Sequence, residues 1–171
     1  MEIAFRRATR GDSPAAMQLV DRALRDYGLY AVPEAGDIDL TDLEQHYDAR
    51  GGCFELIEIG GALVGVVGWR PVGPAGGGVV GGVAGGVIEL KKLYLAAGAR
   101  GHGLGRRAIE RVIAAARSAC ARAIVLETAT RLTEANALYR RLGFVPVQGA
   151  AAASFATLAD QCDLAYRLDL T

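Results

Sequence analysis

The feature that most constrains the fold is the stretch "LYLAAGARGHGLGRRAIERVI", residues 93–113. An apolar, β-prone run ends there in a glycine-rich turn, and the turn opens directly into an amphipathic, arginine-rich helix. The first N–H groups of a helix lack intrahelical acceptors and carry partial positive charge, so such a junction favours an anion. We therefore expect a strand and a helix joined at a site for an anionic part of a ligand.

The segments around this turn predict a mixed sheet. Residues 87 to 96 form the strand before it, Ile109 and Val112 mark the apolar face of the helix, and "RAIVLETA" follows as another strand. A strand, a crossover helix and a strand in this order make a parallel βαβ unit. Upstream, "CFELIEIG" and "ALVGVVGWRPV" are separated by Gly60 and Gly61, which predicts an antiparallel hairpin. We therefore expect an α+β fold with a mostly antiparallel sheet and a central parallel βαβ unit.

The remaining elements follow from local signals. Residues 2 to 8 alternate as a first strand, and a helix follows with Asp12 or Ser13 as its cap. "TDLE", at Thr41 to Glu44, has the form of a capping box that opens a second helix. "TEANALYRRL" predicts a helix that stops at Gly143, "GAAAASFATLA" a loop or weak helix, and "FVPVQ" and "CDLAYRLDL" two strands.

Composition narrows the class of protein. With 171 residues the chain is long enough for one well-cored domain, residues 1 to 171. The 19 basic and 19 acidic residues balance, so we expect no nucleic-acid or membrane partner. Cys53, Cys120 and Cys162 are odd in number and far apart, which favours a reducing cytoplasm over disulfides or zinc. The glycine tract Gly73–Gly86 is interpreted as a flexible hairpin connection without an assigned role.

The glycine pattern distinguishes between anions. A triphosphate loop needs a lysine and a hydroxyl residue after its glycines, and neither follows here. A dinucleotide loop is a closer rival, because Gly101 and Gly103 fill its first two glycine positions and Glu127 lies near the required distance. Arg106, however, stands where the third glycine or an alanine is needed for close packing of helix on strand. A dinucleotide-binding enzyme therefore stays only as an alternative.

The residues that remain, Arg100, Gly103 and Gly105, form an RxxGxG pattern between strand and helix. With the "IVLET" strand and an Asn and Tyr helix that ends in "GF", the chain resembles the GNAT superfamily of acyl-CoA N-acyltransferases from "VIELKKLYL" to "ALYRRLGFVPV". The glycine tract before the strand departs from the family pattern. The resemblance implies a GNAT-like fold and acetyl-CoA as the anionic ligand.

Two parts of the chain would bind the coenzyme. Successive N–H groups from Gly101 to Arg106 can form a nest for the pyrophosphate. The resemblance further implies that strand amides hold the thioester carbonyl, and that Asn136 can bond the pantetheine amides. The expected coenzyme-binding residues are Leu93, Tyr94, Leu95, Arg100, Gly101, His102, Gly103, Leu104, Gly105, Arg106 and Asn136.

Two side chains are candidates for catalysis. Glu89 lies four residues before Leu93, on the same face by strand alternation, and a carboxylate there can accept the proton of the amine. Alternatively, Glu89 is a strand residue paired with a lysine. The resemblance gives Tyr139 the role of the acid that protonates the leaving thiolate, although its place on an apolar helical stripe also suits a core residue. Glu127 stays undecided between acceptor binding and a structural hydrogen bond.

The resemblance implies an enzyme that transfers an acetyl group from acetyl-CoA to a primary amine by direct attack in a ternary complex. The expected partner is a small-molecule or peptide amine, a homodimer is possible, and no metal is expected. A non-catalytic acyl-CoA sensor is a second interpretation of the same loop.

Overall fold

The computed structural model describes residues 2–72, 86–148 and 161–170. All of the glycine tract except Gly86 lies outside these ranges, as does the "GAAAASFATLA" segment predicted as a loop or weak helix. Within the described ranges, no helix has the length and apolar character needed to cross a membrane.

The described part contains seven strands and four α-helices. Short 3-10 turns lie at Arg10–Asp12, Ile38–Leu40, Asp48–Arg50 and Ala97–Ala99. The strands and helices, in chain order, are β1 (Ile3–Arg7), α1 (Ser13–Arg25), α2 (Leu43–His46), β2 (Cys53–Ile59), β3 (Ala62–Val72), β4 (Val87–Leu95), α3 (Leu104–Ser118), β5 (Ala123–Thr128), α4 (Thr133–Arg141), β6 (Val145–Pro146) and β7 (Leu164–Asp169).

All seven strands join one sheet, in the order β1-β2-β3-β4-β5-β7-β6. The pair β4–β5 is parallel and is connected through α3, whereas every other neighbouring pair is antiparallel. The predicted α+β fold, with a mixed sheet and a central parallel βαβ unit, is confirmed.

The sheet carries helices on both faces. Apolar residues of α3 such as Ile109 and Val112 pack with Ile88 and Leu90 on one face. The other face buries Val66 against α1 and α2. In α1 and α3 the buried apolar residues recur at helical spacing, so each helix packs one apolar face against the sheet. The centre of the sheet, where β4 meets β5, is therefore enclosed from both sides.

One local prediction is correct and one is wrong. Gly60 and Gly61 have positive φ angles of 57° and 82° and connect β2 to β3 as predicted. The capping box at Thr41 does not form, because the Thr41 hydroxyl donates to the Ile38 carbonyl at 2.6 Å. Asp42 instead caps α2, with its carboxylate accepting from the Gln45 N–H at 3.0 Å.

Candidate functional site

The two parallel strands diverge in the middle of the sheet. Their pairing covers Val87–Glu89 of β4 and Ala123–Val125 of β5, although β4 continues to Leu95 and β5 to Thr128. Beyond these pairs, the facing edges of β4 and β5 do not pair with each other, which leaves a gap between the two strands. A ligand can therefore approach strand amides at the centre of the sheet.

A bulge bends β4 at this point. Gly68 pairs with Lys91 and Val66 with Tyr94, so Lys92 and Leu93 together oppose one residue of β3. Lys92 has a positive φ of 54°, a conformation that few residues other than glycine adopt. Such backbone strain persists only where surrounding contacts hold it.

The bulge also corrects the sequence-based placement of Glu89. Extra residues in a bulge break the two-residue alternation, so Glu89 and Leu93 do not share a face. Leu93 packs into the cluster around α3. Glu89 lies instead beside Arg70 and Lys91, with Arg70 Nε 3.3 Å from Glu89 Oε2. The expected pairing of Glu89 with a cation is therefore present.

Lys92 is held by the loop between α1 and α2. Its ammonium donates to the Gly36 carbonyl at 3.1 Å and to the Asp37 carboxylate, and it lies 3.3 Å from Asp39 Oδ1. The Tyr47 hydroxyl donates to Asp39 from the opposite side. Burial alone would lower the pKa of Lys92, but Asp39 and Asp37 raise it above its ordinary value. This charged lysine therefore fixes the bulge to the loop.

The glycine-rich turn forms the other wall. Gly101 and Gly103 both have φ of 78°, and a Cβ on either would meet no atom within 4 Å. Gly103 caps α3, and the first helical bond runs from the Arg107 N–H to the Gly103 carbonyl at 3.1 Å. The N–H groups of residues 104–106 therefore have no acceptor within the helix, and their position at its N-terminus suits an anion.

A cleft of about 590 Å³ runs between this turn and the splayed strands. Residues from β4, the turn, β5 and α4 line it, and most of the predicted coenzyme-binding residues are among them. These are Leu93, Tyr94, Leu95, Arg100, Gly101, Gly103, Gly105 and Arg106, together with Tyr139.

Three predicted coenzyme-binding residues lie elsewhere. The exposed His102 places Nδ1 2.8 Å from the Arg100 carbonyl, and Leu104 buries its side chain in the core, which leaves only its backbone N–H at the turn. Asn136 is 5% exposed, and its amide nitrogen donates to the Ala129 carbonyl at 2.9 Å. The β5–α4 loop thus occupies the Asn136 amide nitrogen, and burial rules out the alternative of a solvated position. Asn136 Oδ1 is buried without a hydrogen-bond partner among the described residues, so the expected contact with pantetheine stays a prediction.

Arg100 connects the turn to α1. Its Nε donates to the Leu95 carbonyl at 3.0 Å, and one terminal nitrogen donates to Asp26 at 2.7 Å. The guanidinium also lies 5.2 Å from the centre of the Tyr27 ring, and the Tyr27 hydroxyl donates to Glu134 at 2.9 Å. These contacts hold the Arg100 guanidinium in the cleft wall, and its predicted contact with the coenzyme stays a prediction.

Tyr139 reaches the cleft from α4. It is 4% exposed and packs between Phe144 and Tyr166, each with its ring centre 5.8 Å away. Burial and the nearby Tyr94 raise the pKa of Tyr139 above its ordinary value, so its hydroxyl is protonated at neutral pH. A protonated hydroxyl on this wall can donate a proton to a leaving group.

A smaller cavity of about 90 Å³ lies beside the cleft. Glu89 lines this cavity rather than the cleft, with Asp37, Lys91 and Cys162. Residues shared by both spaces are Leu90, Lys92, Tyr94, Glu127, Thr128 and Leu132. Two ligands could therefore meet at the shared wall.

Three ionic residues that line this cavity are not among the site residues predicted from the sequence. Lys91, Lys92 and Asp37 line it, and Asp39 forms ion pairs with both lysines. One signal in the sequence could have pointed to the lysines: the chain has two lysines, which are adjacent, and 17 arginines. Cys162 precedes β7 rather than lying in a strand as expected, and burial raises the pKa of its thiol to about 11. The described residues include no group of three or more metal-ligating side chains.

Comparisons with known proteins agree with this geometry. The sequence model of the acetyltransferase (GNAT) family matches residues 17–144. The chain is 32% identical over 142 residues to the uncharacterized N-acetyltransferase YjgM of Escherichia coli (strain K12), which covers 82% of this chain and 80% of that protein.

Solved structures share the fold. An acetyltransferase of the GNAT family from Staphylococcus aureus Mu50 aligns with a TM-score of 0.84 at 20% identity, over 99% of this chain and 100% of that one. YncA of Salmonella typhimurium, a putative acetyltransferase solved with its cofactor acetyl-CoA, aligns with a TM-score of 0.70 at 19% identity, over 100% of this chain and 95% of that one.

Proposed function

This chain belongs to the GNAT family of acetyltransferases, and on that premise we propose that it transfers the acetyl group of acetyl-CoA to a primary amine by direct attack in a ternary complex. The acceptor would be a small molecule or the amine of a peptide. The observation that carries the proposal is the shared wall between the large cleft and the small cavity, because a thioester in one can meet an amine in the other.

The cleft suits a coenzyme with a pyrophosphate and a long arm. The α3 turn presents the N–H groups of Leu104, Gly105 and Arg106 at the positive end of a helix. Gly105 faces Leu138 so closely that an added Cβ would lie 3.1 Å from its Cδ2 atom. The glycine pattern therefore keeps the turn open for phosphates and lets α3 pack close to α4.

The reaction needs a free amine, a polarised carbonyl and a protonated thiolate. Glu89, in the small cavity, would take the proton from the incoming ammonium. Backbone N–H groups near the β4 bulge would hold the carbonyl oxygen as negative charge develops on it. When the tetrahedral intermediate collapses, Tyr139 would give its proton to the departing thiolate, and the second proton on the attached nitrogen would return to the tyrosinate. The products are then a neutral amide and the free thiol of coenzyme A.

Calorimetric titration tests coenzyme binding. The protein is titrated with acetyl-CoA and, in parallel, with NAD and ATP. Micromolar binding of acetyl-CoA alone supports the proposal, and binding of NAD alone would favour the dinucleotide alternative. Thiol release on adding a panel of primary amines then separates an enzyme from a sensor, because a sensor binds acetyl-CoA without releasing coenzyme A.

A further inference from the structure

The chain's two lysines, Lys91 and Lys92, are adjacent and lie on one face of β4. Its other 17 basic side chains are arginines. The bulge directs both ammonium groups toward Asp39, at 3.9 Å from Lys91 and 3.3 Å from Lys92. An ammonium is compact and a guanidinium is planar and broad, so a small enclosed space favours lysine. The two lysines differ, however, in how closely protein acceptors surround their ammonium groups.

Lys92 is fully engaged by the protein. Its side chain is 8% exposed and has the Gly36 carbonyl and the carboxylates of Asp37 and Asp39 around its ammonium. Its ammonium donates to Gly36 and Asp37, and Asp39 Oδ1 lies 3.3 Å away as an ion-pair partner. Lys92 is therefore a structural cation.

Lys91 is not engaged in the same way. Its ammonium lies 3.7 Å from Glu89 Oε1 and 3.9 Å from Asp39 Oδ2, and both distances exceed that of a hydrogen bond. The side chain is 18% exposed and lines the small cavity. Arg70 contacts the other oxygen of Glu89, so Oε1 faces Lys91. The cavity thus presents one ammonium and one carboxylate oxygen, side by side and without close contact.

We propose that the acceptor is a small α-amino acid, held with its amine at Glu89 and its carboxylate at Lys91. This inference rests on the proposed acetyl transfer. An α-amino acid carries an ammonium and a carboxylate on neighbouring atoms, so it can contact both protein charges at once. Charge-assisted bonds to a fixed pair give both affinity and orientation.

The size of the cavity agrees with a small acceptor. Its volume of about 90 Å³ is well below the roughly 300 Å³ at which sites for drug-sized ligands begin. The loop between α1 and α2 also closes over one side, since Tyr30 and Gln161 exchange two hydrogen bonds of 3.2 and 2.7 Å. A free amino acid therefore fits this space better than a residue of a folded protein.

The test compares each of the twenty L-α-amino acids with its C-terminal carboxamide. The carboxamide keeps the amine and the side chain and lacks the negative charge. Coenzyme A release gives kcat/KM for each member of a pair at one pH. We expect the best amino acid to exceed its carboxamide by at least about tenfold. Carboxamides have the more acidic ammonium and hence more free amine, so the comparison works against the proposal.

Variants assign the preference to one residue. Lys91→Met should reduce the ratio of acid to carboxamide to about one, and Lys91→Arg should keep part of it. Arg117→Met removes an exposed positive charge at the end of α3 and should leave the ratio unchanged. A thermal melt of each variant establishes that it is folded.

The outcomes separate this inference from the function on which it rests. Equal or faster turnover of carboxamides, or an unchanged ratio in Lys91→Met, would overturn the amino-acid acceptor while leaving acetyl transfer intact. Turnover of primary amines that are not amino acids, with no turnover of any amino acid, would likewise overturn the amino-acid acceptor and leave acetyl transfer intact. If acetyl-CoA does not bind at all, both the inference and the proposed function are wrong.

Discussion

Lys92 Nζ lies 3.3 Å from Asp39 Oδ1, which joins the left-handed bulge of β4 to the loop that follows α1. The two residues are far apart in the sequence, and both are almost fully buried. The positive φ of Lys92 would cost about 1 kcal/mol or more in an isolated strand. The ion pairs of this lysine therefore hold a strained backbone at the place where the strands separate.

Lys92→Met should destabilise the fold by about 3–5 kcal/mol, because it leaves Asp37 and Asp39 buried without their closest cation. Lys91→Met is the matched control, since the ion pairs of Lys91 are 3.7 Å or longer and their loss should cost less than the loss of those of Lys92. Urea unfolding of the two variants measures the difference. Equal losses would mean that Lys92 has no special part in the bulge.

The same pair predicts how stability depends on pH. Burial would raise the pKa of Asp39, but Lys92 and Lys91 hold it below its ordinary value of 3.8. Its contribution is therefore present above about pH 4 and is lost as pH falls through the folded pKa. Lys92 has a pKa above 10.5, so its contribution is present below that pH and is lost as pH rises through the folded value.

A pH series of unfolding measurements checks this window. The free energy difference between the wild type and Lys92→Met should be largest between about pH 4 and pH 10.5 and should shrink on both sides. In an Asp39→Asn background, this free energy difference should decrease less at acid pH, because the carboxylate that titrates there is absent. A difference that stays constant from acid to base would contradict the prediction.

The sequence predicted those parts of the fold that local pattern determines. Periodic apolar residues gave α3 and its flanking strands, and the left-handed glycines Gly101 and Gly103 lie where the motif placed them. The bulge could not be predicted, because Lys92 adopts its strained backbone through contacts with Asp37 and Asp39 more than fifty residues away. Strand alternation assumes an unbroken pleat, so it put Glu89 on the wrong face relative to the strand beyond the bulge.

The helices α2 and α4 form as predicted, but the local side-chain interactions expected at Thr41 and Asn136 differ for a related reason. Thr41 matched a capping box, yet its hydroxyl bonds the preceding turn. Asn136 lies in α4 among polar residues, which suggested a solvated side chain. In the fold it is buried, and its amide nitrogen donates to the Ala129 carbonyl. Short polar side chains have several local acceptors within reach, and only the folded loop decides between them.

Tyr139→Phe tests the proposed acid. The ring packs against Phe144 and Tyr166, and the change keeps those contacts, so the stability should hardly change. Loss of the hydroxyl should lower kcat by about 10²–10⁴-fold, with little effect on the binding of acetyl-CoA. Stopped-flow thiol release and calorimetry measure the two quantities. A variant with unchanged kcat would show that another donor protonates the thiolate.

Gly103→Ala tests the anion nest. The φ of 78° strains any residue with a side chain, so we expect a loss of about 1–2 kcal/mol in stability. Gly61→Ala is the matched control, because Gly61 has φ of 82° and equally open surroundings in the β2–β3 turn. Both should lose similar stability, but only Gly103→Ala should weaken acetyl-CoA binding, by tenfold or more. Equal affinities in the two variants would rule out a close approach of phosphate to Gly103.

Asn136→Ala separates a structural role of this residue from a role in coenzyme binding. Its amide nitrogen donates to the Ala129 carbonyl at 2.9 Å and to the Thr130 carbonyl at 3.4 Å, and both acceptors belong to the loop that leads from β5 into α4. Removing a buried partner leaves these carbonyls unsatisfied, so unfolding should become easier by about 1–3 kcal/mol. The affinity for acetyl-CoA should stay within about twofold, because Asn136 is not among the residues that line the cleft. If calorimetry instead finds a large loss of affinity with normal stability, Asn136 contacts the coenzyme, which its Oδ1, unpartnered within the described ranges, can do while the amide nitrogen keeps its bonds to the loop.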